Sequence, residues 1–474
     1  MRVLKKSAVF LISVTMAAVG GASTASASTT IDQLGSDIDG EAVGDSSGGN
    51  VVLSADGTIV AISASQNDGS GSDAGHVRLF EWDGAAWVQR GDDIDGEAAD
   101  DWSGHSVSLS SNGSIVAISA ILNDGVNGND SGHVRVYEWD GSAWQQKGGD
   151  IDGEAADDYS GRSVSLSADG NIVAIGATNN DGSGSDAGHV RLFEWDGAAW
   201  VQKGGDIDGE AAGDRSGYSV SLSTDGSIVA IGARRNSASG TNAGHVRLFE
   251  WDGAAWVQKG GDIDGEAADD YSGHSVSLSA DGSIVAISAI FNDGINGETS
   301  GHVRVYEWDG SAWQQKGGDI DGEALDDWSG WSPTLSADGT IVAIGAVFND
   351  GINGETSGHV RVYEWDGSAW QQKGGDIDGE SANDESGLSV SLSADGTIVA
   401  IGAHLNDGIN GEDSGHVRVY SIATTQNITT PEPDENVELP ATGSMSGIVS
   451  QVLLVLGAGG LLMLFSRRRL SVRD

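Results

Sequence analysis

The sequence contains no cysteine and very little proline. Of its 474 residues, none is cysteine and only 4 are proline, whereas 73 are glycine. Without cysteine the chain can form no disulfides, so packing must supply its stability. Abundant glycine with scarce proline and regular apolar runs indicates many short strands joined by turns, not disorder.

Positive charge is also scarce. The chain has 24 Lys and Arg residues against 71 Asp and Glu residues, a formal net charge of −47. A phosphate backbone would be repelled by this charge, which argues against nucleic acid as a partner. The same charge favours solubility in salt and attracts cations.

Long hydrophobic runs are confined to the two ends. The N-terminus reads MRVLKKSAVFLISVTMAAVGGASTASA, with basic residues, then an apolar run, then small residues. This order predicts a secretory signal peptide over residues 1–27, cleaved after Ala27. The alternative, a membrane anchor, is weaker because the run is too short to span a bilayer comfortably.

The C-terminus has three parts in sequence. LPATG at 439–443 is followed by an apolar stretch at 448–465 and by the arginines at 467–469. Basic residues after a span hold that end in the cytoplasm. This tail resembles the LPxTG cell-wall sorting signal of Gram-positive bacteria. Its recognition residues would be Leu439, Pro440, Ala441, Thr442 and Gly443.

The resemblance implies that a sortase cuts between Thr442 and Gly443 and joins Thr442 to peptidoglycan. Residues 444–474, a transmembrane segment with a basic tail, would then be removed. The protein would therefore be attached to the membrane only before sorting. A simple membrane-anchored protein is the alternative. Residues 422–438 are rich in Thr, Pro and Glu and predict a short tether.

An internal repeat fills the rest of the chain. Its opening DIDG recurs every 56 or 57 residues, at Asp37, Asp93, Asp150, Asp206, Asp262, Asp319 and Asp376. Each unit holds four strand-like stretches, such as SVSLS, IVAIGA, GHVRLFEW and WVQKGG, separated by turns. A four-stranded antiparallel meander cannot bury its own faces. We therefore predict an all-β, seven-bladed β-propeller over residues 28–421, followed by a single C-terminal transmembrane helix.

The two ends of the repeat region complement each other. Strands one to three occur seven times, but the tryptophan-bearing fourth strand occurs only six times. The N-terminal TIDQLGSDI (30–38) aligns with WQQKGGDI (144–151), with Ile31 where Trp144 stands. We predict that this N-terminal strand completes the last blade and closes the ring.

The unit resembles the FG-GAP repeat, the blade of the integrin α-chain propeller, over residues 31–421. The matching pieces are SGRSVSLSADG, IVAIGA and GHVRLFEW. Calcium-binding members of that family carry an Asp-rich loop between strands one and two. This sequence has only SADG or SNG there, so that calcium site is not carried over.

The acidic loop DIDGEAADDYSG (150–161) is a separate candidate metal site. Carboxylates recur at relative positions 1, 3, 5 and 9 of every copy, and two copies supply Asp150, Asp152, Glu154, Asp158, Asp206, Asp208, Glu210 and Asp214. Calcium prefers six to eight such hard oxygen ligands. The alternative is that these carboxylates cap turns by accepting backbone N–H bonds. No cofactor is certain, and calcium is the one that the loops suggest.

Two further side-chain sets recur in each unit. The arginine of GHVR, such as Arg135, predicts an ion pair with a carboxylate between blades, and a metal or catalytic role for this arginine and the histidine before it, such as His133, is the alternative. The paired tryptophans, such as Trp139 and Trp144, predict an aromatic layer. Stacking on sugars is the alternative for these tryptophans.

Nearly every polar group is copied sevenfold, which argues against a single catalytic site. Departures from the repeat are few and include Arg234, Arg235, Leu325, Trp331 and His404. We therefore predict that the chain is not an enzyme. We expect a monomeric, wall-anchored surface protein that binds an unknown extracellular protein or glycan through its acidic face, as an adhesion module that calcium could assist. A lectin using the repeated tryptophans is the alternative, and a secreted hydrolase ranks last.

Overall fold

The computed structural model describes residues 26–427, which form seven antiparallel sheets in succession. Each sheet packs on the next, and the seventh packs on the first. The prediction of an all-β, seven-bladed propeller with four-stranded blades is therefore confirmed. Within residues 26–427 no helix is long and apolar enough to cross a membrane. The predicted transmembrane helix and the sorting motif at 439–443 lie outside the described residues.

Every blade has the same strand order. The inner strands are Val51–Leu53, Ser103–Leu109, Ser160–Leu166, Ser219–Leu222, Val276–Leu278, Ser329–Leu335 and Ser389–Leu392. The second strands are Ile59–Ala64, Ile115–Ala120, Ile172–Ala177, Ile228–Ala233, Ile284–Ala289, Ile341–Ala346 and Ile398–Ala403. The third strands are His76–Trp82, His133–Trp139, His189–Trp195, His245–Trp251, His302–Trp308, His359–Trp365 and His416–Asn427.

The outermost strand of each blade is split into two pieces, both paired with the third strand. The first pieces are Trp87–Gln89, Trp144–Gln146, Trp200–Gln202, Trp256–Gln258, Trp313–Gln315, Trp370–Gln372 and, in the seventh blade, Ser26–Gln33. The second pieces are Ile94–Asp95, Ile151–Asp152, Ile207–Asp208, Ile263–Asp264, Ile320–Asp321, Ile377–Asp378 and, again in the seventh blade, Ile38–Asp39.

The second piece differs from the sequence-based interpretation, which placed the whole of DIDG in a loop between blades. Ile151 lies opposite Val134 and Asp152 opposite His133 on the third strand of the same blade. The cause is burial, because Ile151 is only 4% exposed in the apolar cluster between blades. Gly148, with φ of +85°, provides the break that separates the two pieces. The connecting loop therefore begins at Gly153.

The core lies between blades. Seven apolar clusters in residues 26–427 each combine the faces of two adjacent blades. The second strand is covered on both faces, as its unbroken apolar run predicts, and Ile172–Ala177 is buried throughout. Leu248, fully buried in one such cluster, would cost about 2–5 kcal/mol of folding free energy if truncated to alanine.

The turn between the first two strands explains the repeated Ser-Ala-Asp-Gly. Asp169 accepts hydrogen bonds from Ser167 Oγ at 2.7 Å and from the Asn171 amide at 3.0 Å. Burial acts to raise the pKa of Asp169, but these hydrogen bonds outweigh it and lower the pKa. Gly170 has φ of +68°, and a Cβ there would lie 2.7 Å from the Ile115 side chain of the preceding blade. Only glycine satisfies both conditions.

These turns join the blades around the axis. At each turn one backbone N–H donates to the carbonyl of the next blade's turn, at 2.8–2.9 Å. Within the described residues the donors and acceptors form one closed circuit that runs Ala55, Ser111, Ala168, Thr224, Ala280, Ala337, Ala394 and back to Ala55.

The seventh blade combines both ends of the described chain. Ser26–Gln33 pairs antiparallel with the third strand, and Ile31 lies opposite Ile422. In other blades this position holds a tryptophan pair, such as Trp144 opposite Trp139. The third strand continues to Asn427, beyond the predicted propeller boundary at residue 421.

Candidate functional site

The seven inner strands wall a central channel whose two ends differ. At the turn end, the circuit of backbone hydrogen bonds and a ring of buried leucines, such as Leu166 and Leu222, narrow the channel. At the other end, where the acidic loops enter the inner strands, the channel opens into a cavity of about 390 Å³. This volume lies in the range of small-molecule sites.

The repeats diverge at this open end. The position that follows Ser-Gly carries six different residue types in seven copies, and each of them lines the cavity. We call these residues the mouth ring: Gly49, His105, Arg162, Tyr218, His274, Trp331 and Leu388. By contrast, Ile-Val-Ala-Ile of the second strand and Gly-His-Val-Arg at the start of the third are identical in all seven copies.

A second set of variable residues stands three positions before the mouth ring. We call it the second ring: Ser46, Trp102, Tyr159, Arg215, Tyr271, Trp328 and Glu385. All seven have a left-handed backbone, with φ between 52° and 56°. Glycine adopts this conformation without steric cost, whereas other residues pay on the order of 1 kcal/mol or more. Most residues of the second ring therefore carry large side chains although their backbone conformation favours glycine.

The loop that follows the second strand contributes two more variable positions. The first carries Ser65, Ile121, Thr178, Arg234, Ile290, Val347 and His404, and the second carries Gln66, Leu122, Asn179, Arg235, Phe291, Phe348 and Leu405. In the sequence alone, Arg234, Arg235, Trp331 and His404 stand as isolated exceptions to the repeat. The structure brings them to one end of the channel. Leu325 instead lies in an acidic loop, 56% exposed.

Aromatic side chains concentrate on the fifth and sixth blades. The Trp328 and Trp331 rings stack with centroids 5.8 Å apart and planes 13° from parallel. Phe291 and Phe348 meet Trp328 edge-on, with centroids 4.5 and 4.6 Å away. His274 lies 4.9 Å from Trp331, centroid to centroid. These rings form one continuous aromatic wall.

Arginines concentrate on the third and fourth blades. The guanidinium carbons of Arg162 and Arg234 lie 4.1 and 3.7 Å from the centre of the Tyr218 ring, within cation–π range. Arg162 Nη1 also lies 2.8 Å from His105 Nε2 and donates to it, since a guanidinium has no acceptor. Burial and, to a smaller extent, repulsion from Arg162, Arg235 and Arg215 together lower the pKa of Arg234 to about 10.

The histidines of the mouth ring are held neutral. Burial, and then the charge of Arg162, lower the pKa of His105 to about 3. Burial lowers the pKa of His274 well below its usual range, with Arg234 and Arg162 adding to the effect. The charge of the mouth ring is therefore set by its arginine, in a chain of net charge −47.

The predicted metal ligands of one loop have separate partners. Asp158 is buried and accepts hydrogen bonds from the Ala155 amide and from Asn180 Nδ2, both at 3.0 Å. Asp150 accepts one from Gln146 at 2.7 Å. The next loop repeats this arrangement: Asp214 accepts from Ala211 and Asn236, and Asp206 accepts from Gln202.

Arginines contact the other two acidic residues of each loop, one through its carboxylate and one through its backbone carbonyl. Glu154 lies 3.7 Å from Arg191, and Glu210 lies 3.8 Å from Arg247. The backbone carbonyls of Asp152 and Asp208 accept hydrogen bonds from the same two arginines. The side chains that the structure groups within 4.8 Å come from two successive loops and a histidine, as in Glu97, His133 and Asp150 or Glu154, His189 and Asp206. Calcium binding by these loops stays a prediction.

The two recurring side-chain sets are engaged between blades. Arg135 of the second blade pairs with Glu97 at 3.4 Å and donates to the Asp95 carbonyl of the first blade, which confirms the predicted arginine pairing. The Trp139 and Trp144 rings pack with centroids 5.3 Å apart, and the Trp144 indole N–H donates to the Arg90 carbonyl of the first blade. The predicted aromatic layer is therefore present.

Comparison with known proteins agrees on the fold. The model of the FG-GAP repeat family matches residues 377–420, about one unit. A search of curated proteins finds no match to this sequence.

Two solved structures share the architecture. One is a candidate 6-phosphogluconolactonase from Bacteroides uniformis ATCC 8492, with 12% identity and a TM-score of 0.53, covering 78% of this chain and 95% of its own. The other is the Kuenenia stuttgartiensis hydrazine synthase, with 12% identity and a TM-score of 0.50, covering 84% of this chain and 98% of its own.

The first of these comparisons corrects the prediction that the chain is not an enzyme. A propeller that covers 78% of this chain is a candidate lactonase, so the fold accommodates a catalytic site. The argument from sevenfold copying is also wrong at the mouth ring, where the copies differ. Similarity at 12% identity shows the fold alone and assigns no reaction to this chain.

Proposed function

We propose that the protein is a surface-displayed binding module of a Gram-positive bacterium and that its ligand docks at the open end of the channel. The observation that carries the proposal is the divergence of the mouth ring among repeats that are otherwise nearly identical. A scaffold position needs one residue in all blades, whereas a ligand without sevenfold symmetry needs different residues around the axis.

The second ring supports the same location. Its aromatic and charged side chains stand on a left-handed backbone that glycine would adopt at lower cost. Strain of this kind concentrates where side chains contact ligands. The cavity is also lined mostly by polar side chains, with the rings of Tyr218 and Trp331 among them, and such a lining suits a polar ligand that has an apolar face.

Display at the wall rests on the sequence of the two ends. The signal-like N-terminus, LPATG at 439–443, the apolar stretch and the final arginines are in the order that sorting requires. We further propose that pairing of the N-terminal strand with the seventh blade keeps the ring shut, so that a protein without disulfides persists outside the cell. A sortase and peptidoglycan would be its anchoring partners.

Cell fractionation tests the anchoring. Leu439→Ala should move the protein from the fraction released by a muramidase to the membrane fraction and the medium. Ala441→Ser, at the variable position of the motif, is the matched control and should leave the protein in the wall. Equal wall fractions for both variants would contradict sortase anchoring.

Substitutions taken from other repeats test the binding site. Tyr218→Leu, His274→Leu and Trp331→Leu each install the residue that Leu388 already supplies at the same position, so the fold should accommodate them. Probes from a glycan array and from extracellular matrix that bind cells displaying the parent chain are compared with the triple variant. Cells that display the triple variant should not bind these probes. Val201→Gln is the control, since three other repeats carry Gln at that exposed position. Unchanged binding by the triple variant, at equal surface amount, would reject the site.

A further inference from the structure

We propose that the ligand is an acidic sugar, whose carboxylate or phosphate is bound by Arg162, with Arg234 on the same Tyr218 ring adding positive charge, and whose ring packs on Trp331. This inference rests on the proposed function, because it assigns a chemistry to the same binding site. Four observations support it, and each concerns residues that depart from the repeat.

The first observation is a set of arginines without carboxylate partners. Within residues 26–427, every arginine outside this set forms an ion pair with a glutamate: Arg78, Arg90, Arg135, Arg191, Arg247, Arg304, Arg361 and Arg418. In the same described range, no ion pair joins Arg162, Arg215, Arg234 or Arg235 to a carboxylate, although the chain has 71 acidic residues. All four lie on the third and fourth blades, close to the open end of the channel.

The second observation is the repulsion within that set. Arg162, Arg215 and Arg235 all act on Arg234 and make its charged form less favourable. The Nε atoms of Arg234 and Arg235 are buried, and neither has a hydrogen-bond partner in the described part of the chain. A carboxylate or phosphate in the cavity would relieve the repulsion, and Arg162, which lines the cavity, would donate to it in a charge-assisted hydrogen bond. The mouth ring itself contains none of the acidic residues that would compete for Arg162.

The third observation is His274. Its side chain lines the cavity and is 7% exposed, yet both ring nitrogens lack a hydrogen-bond partner among residues 26–427. A neutral imidazole offers one donor and one acceptor, which matches a sugar hydroxyl. His274 lies between Tyr218 and Trp331, at centroid distances of 5.2 and 4.9 Å. It therefore links the arginine side of the cavity to the aromatic side.

The fourth observation is the aromatic wall at the far side from Arg162. Trp331 lines the cavity and is supported from behind by Trp328 and Phe348. An indole face fixed in this way offers a flat apolar surface of the kind on which the apolar face of a sugar ring packs. The repeated tryptophans differ, since each of their pairs is packed against a neighbouring blade. A sugar site at Trp331 is thus separate from the lectin alternative based on the repeats.

The test is a calorimetric titration of the full chain, purified in detergent, with glucuronic acid, galacturonic acid, glucose 6-phosphate and glucose. We expect an acidic sugar to bind at least tenfold more tightly than glucose, because one charge-assisted contact is worth about 1.5–3 kcal/mol. The uronic acids and the sugar phosphate distinguish a carboxylate ligand from a phosphate ligand.

Variants drawn from other repeats separate the two parts of the site. Arg162→Leu and Arg234→Thr copy Leu388 and Thr178, and each should weaken acidic-sugar binding about tenfold more than it weakens glucose binding. Trp331→Leu should weaken the binding of both kinds of sugar. Arg90→Lys is the control, since five other repeats carry Lys there, and it should change nothing.

Three results would each overturn the inference. The first is that glucose binds as tightly as the acidic sugars, and the second is that the arginine variants bind the acidic sugars as tightly as the parent chain does. The third is that none of the four sugars binds the parent chain up to about 10 mM. In each case the proposed function would still stand if the triple Leu variant at Tyr218, His274 and Trp331 loses its surface probes. It would fall only if that variant keeps them.

Discussion

Asp158 accepts a hydrogen bond from Asn180 Nδ2 at 3.0 Å, and this joins the acidic loop of the third blade to the loop after its second strand. The same aspartate–asparagine pair recurs in all seven blades at 2.9–3.2 Å. The buried carboxylate of each acidic loop thus holds together the two loops that surround the open end of the channel.

Replacing this carboxylate should destabilise the protein. Asp158→Ala leaves the Asn180 and Ala155 N–H groups without acceptors in a buried setting. We expect a loss of about 1–3 kcal/mol in the free energy of unfolding, measured by chemical denaturation. Asp92→Gly is the control, because it removes an exposed negative charge where other repeats carry glycine.

The same experiment, repeated with added calcium and with a chelator, tests the metal hypothesis. If the loop carboxylates act as hydrogen-bond acceptors only, neither addition should change the free energy of unfolding of the parent chain. A rise with calcium that is absent in Asp158→Ala would instead favour a metal site, since a ligand that binds only the folded state stabilises it.

A charge on the inner face of the N-terminal strand should open the seventh blade. Ile31 packs against the apolar cluster between the sixth and seventh blades, so Ile31→Asp would place a carboxylate among buried apolar groups. We expect a loss of about 2–4 kcal/mol and rapid proteolysis of the N-terminal strand. Thr30→Asp adds the same charge at an exposed position and should leave proteolysis slow.

Mild acid should destabilise the propeller. Burial lowers the pKa of His189, His302, His359, His404 and His416 to about 4, from a usual 6.5. These imidazoles stay neutral in the folded chain, whereas in the unfolded chain they take up protons below pH 6.5. The free energy of unfolding is therefore not reduced by these histidines above pH 6.5, and it falls as the pH is lowered towards 4. At pH 5.5 the loss is on the order of 1 kcal/mol per histidine.

Denaturation at pH 7.5 and 5.5, at equal ionic strength, measures this loss. His404→Val removes one of the titrating groups at a position where another repeat already carries valine, Val347. The variant should lose less stability than the parent chain over the same interval. A parent chain that is equally stable at both pH values would contradict the prediction.

The repeated tryptophans should prove structural. Trp144→Phe removes the indole N–H that donates to the Arg90 carbonyl at 2.8 Å, and we expect a loss of about 1 kcal/mol in the free energy of unfolding. Trp139→Phe is the matched control, because no hydrogen bond from its indole occurs in the described residues, and it should cost less. Glycan binding that falls in Trp144→Phe without any loss of stability would revive the lectin alternative.

The fold was accessible from the sequence because the repeat presents the same pattern seven times. The period, the apolar run of the second strand and the hairpin glycines each predict a local structure that the blade shows. The edge strand at Ile151–Asp152 could not be predicted from the sequence, because a segment of two residues is too short to show an alternation of apolar and polar residues. Only the burial of Ile151 against the next blade makes it a strand.

The candidate site was not accessible for a related reason. Aligning the units draws attention to what they share, and the shared acidic loop therefore suggested a site. The residues that differ, such as Arg162 and Trp331, are far apart in sequence and meet only because the blades close around an axis. Comparing the single position after Ser-Gly across the seven units would have revealed them.

The circuit of turn hydrogen bonds, which runs from Ala55 around to Ala394 and back, limits how this gene can change. A duplication or deletion of one unit would give eight or six blades, whereas the turn hydrogen bonds close at seven. Such products should therefore misfold. An exchange between units keeps the number of links constant and only redistributes the lining of the open end. Under the proposed function, recombination within the gene would give new binding specificities without passing through a protein that fails to close.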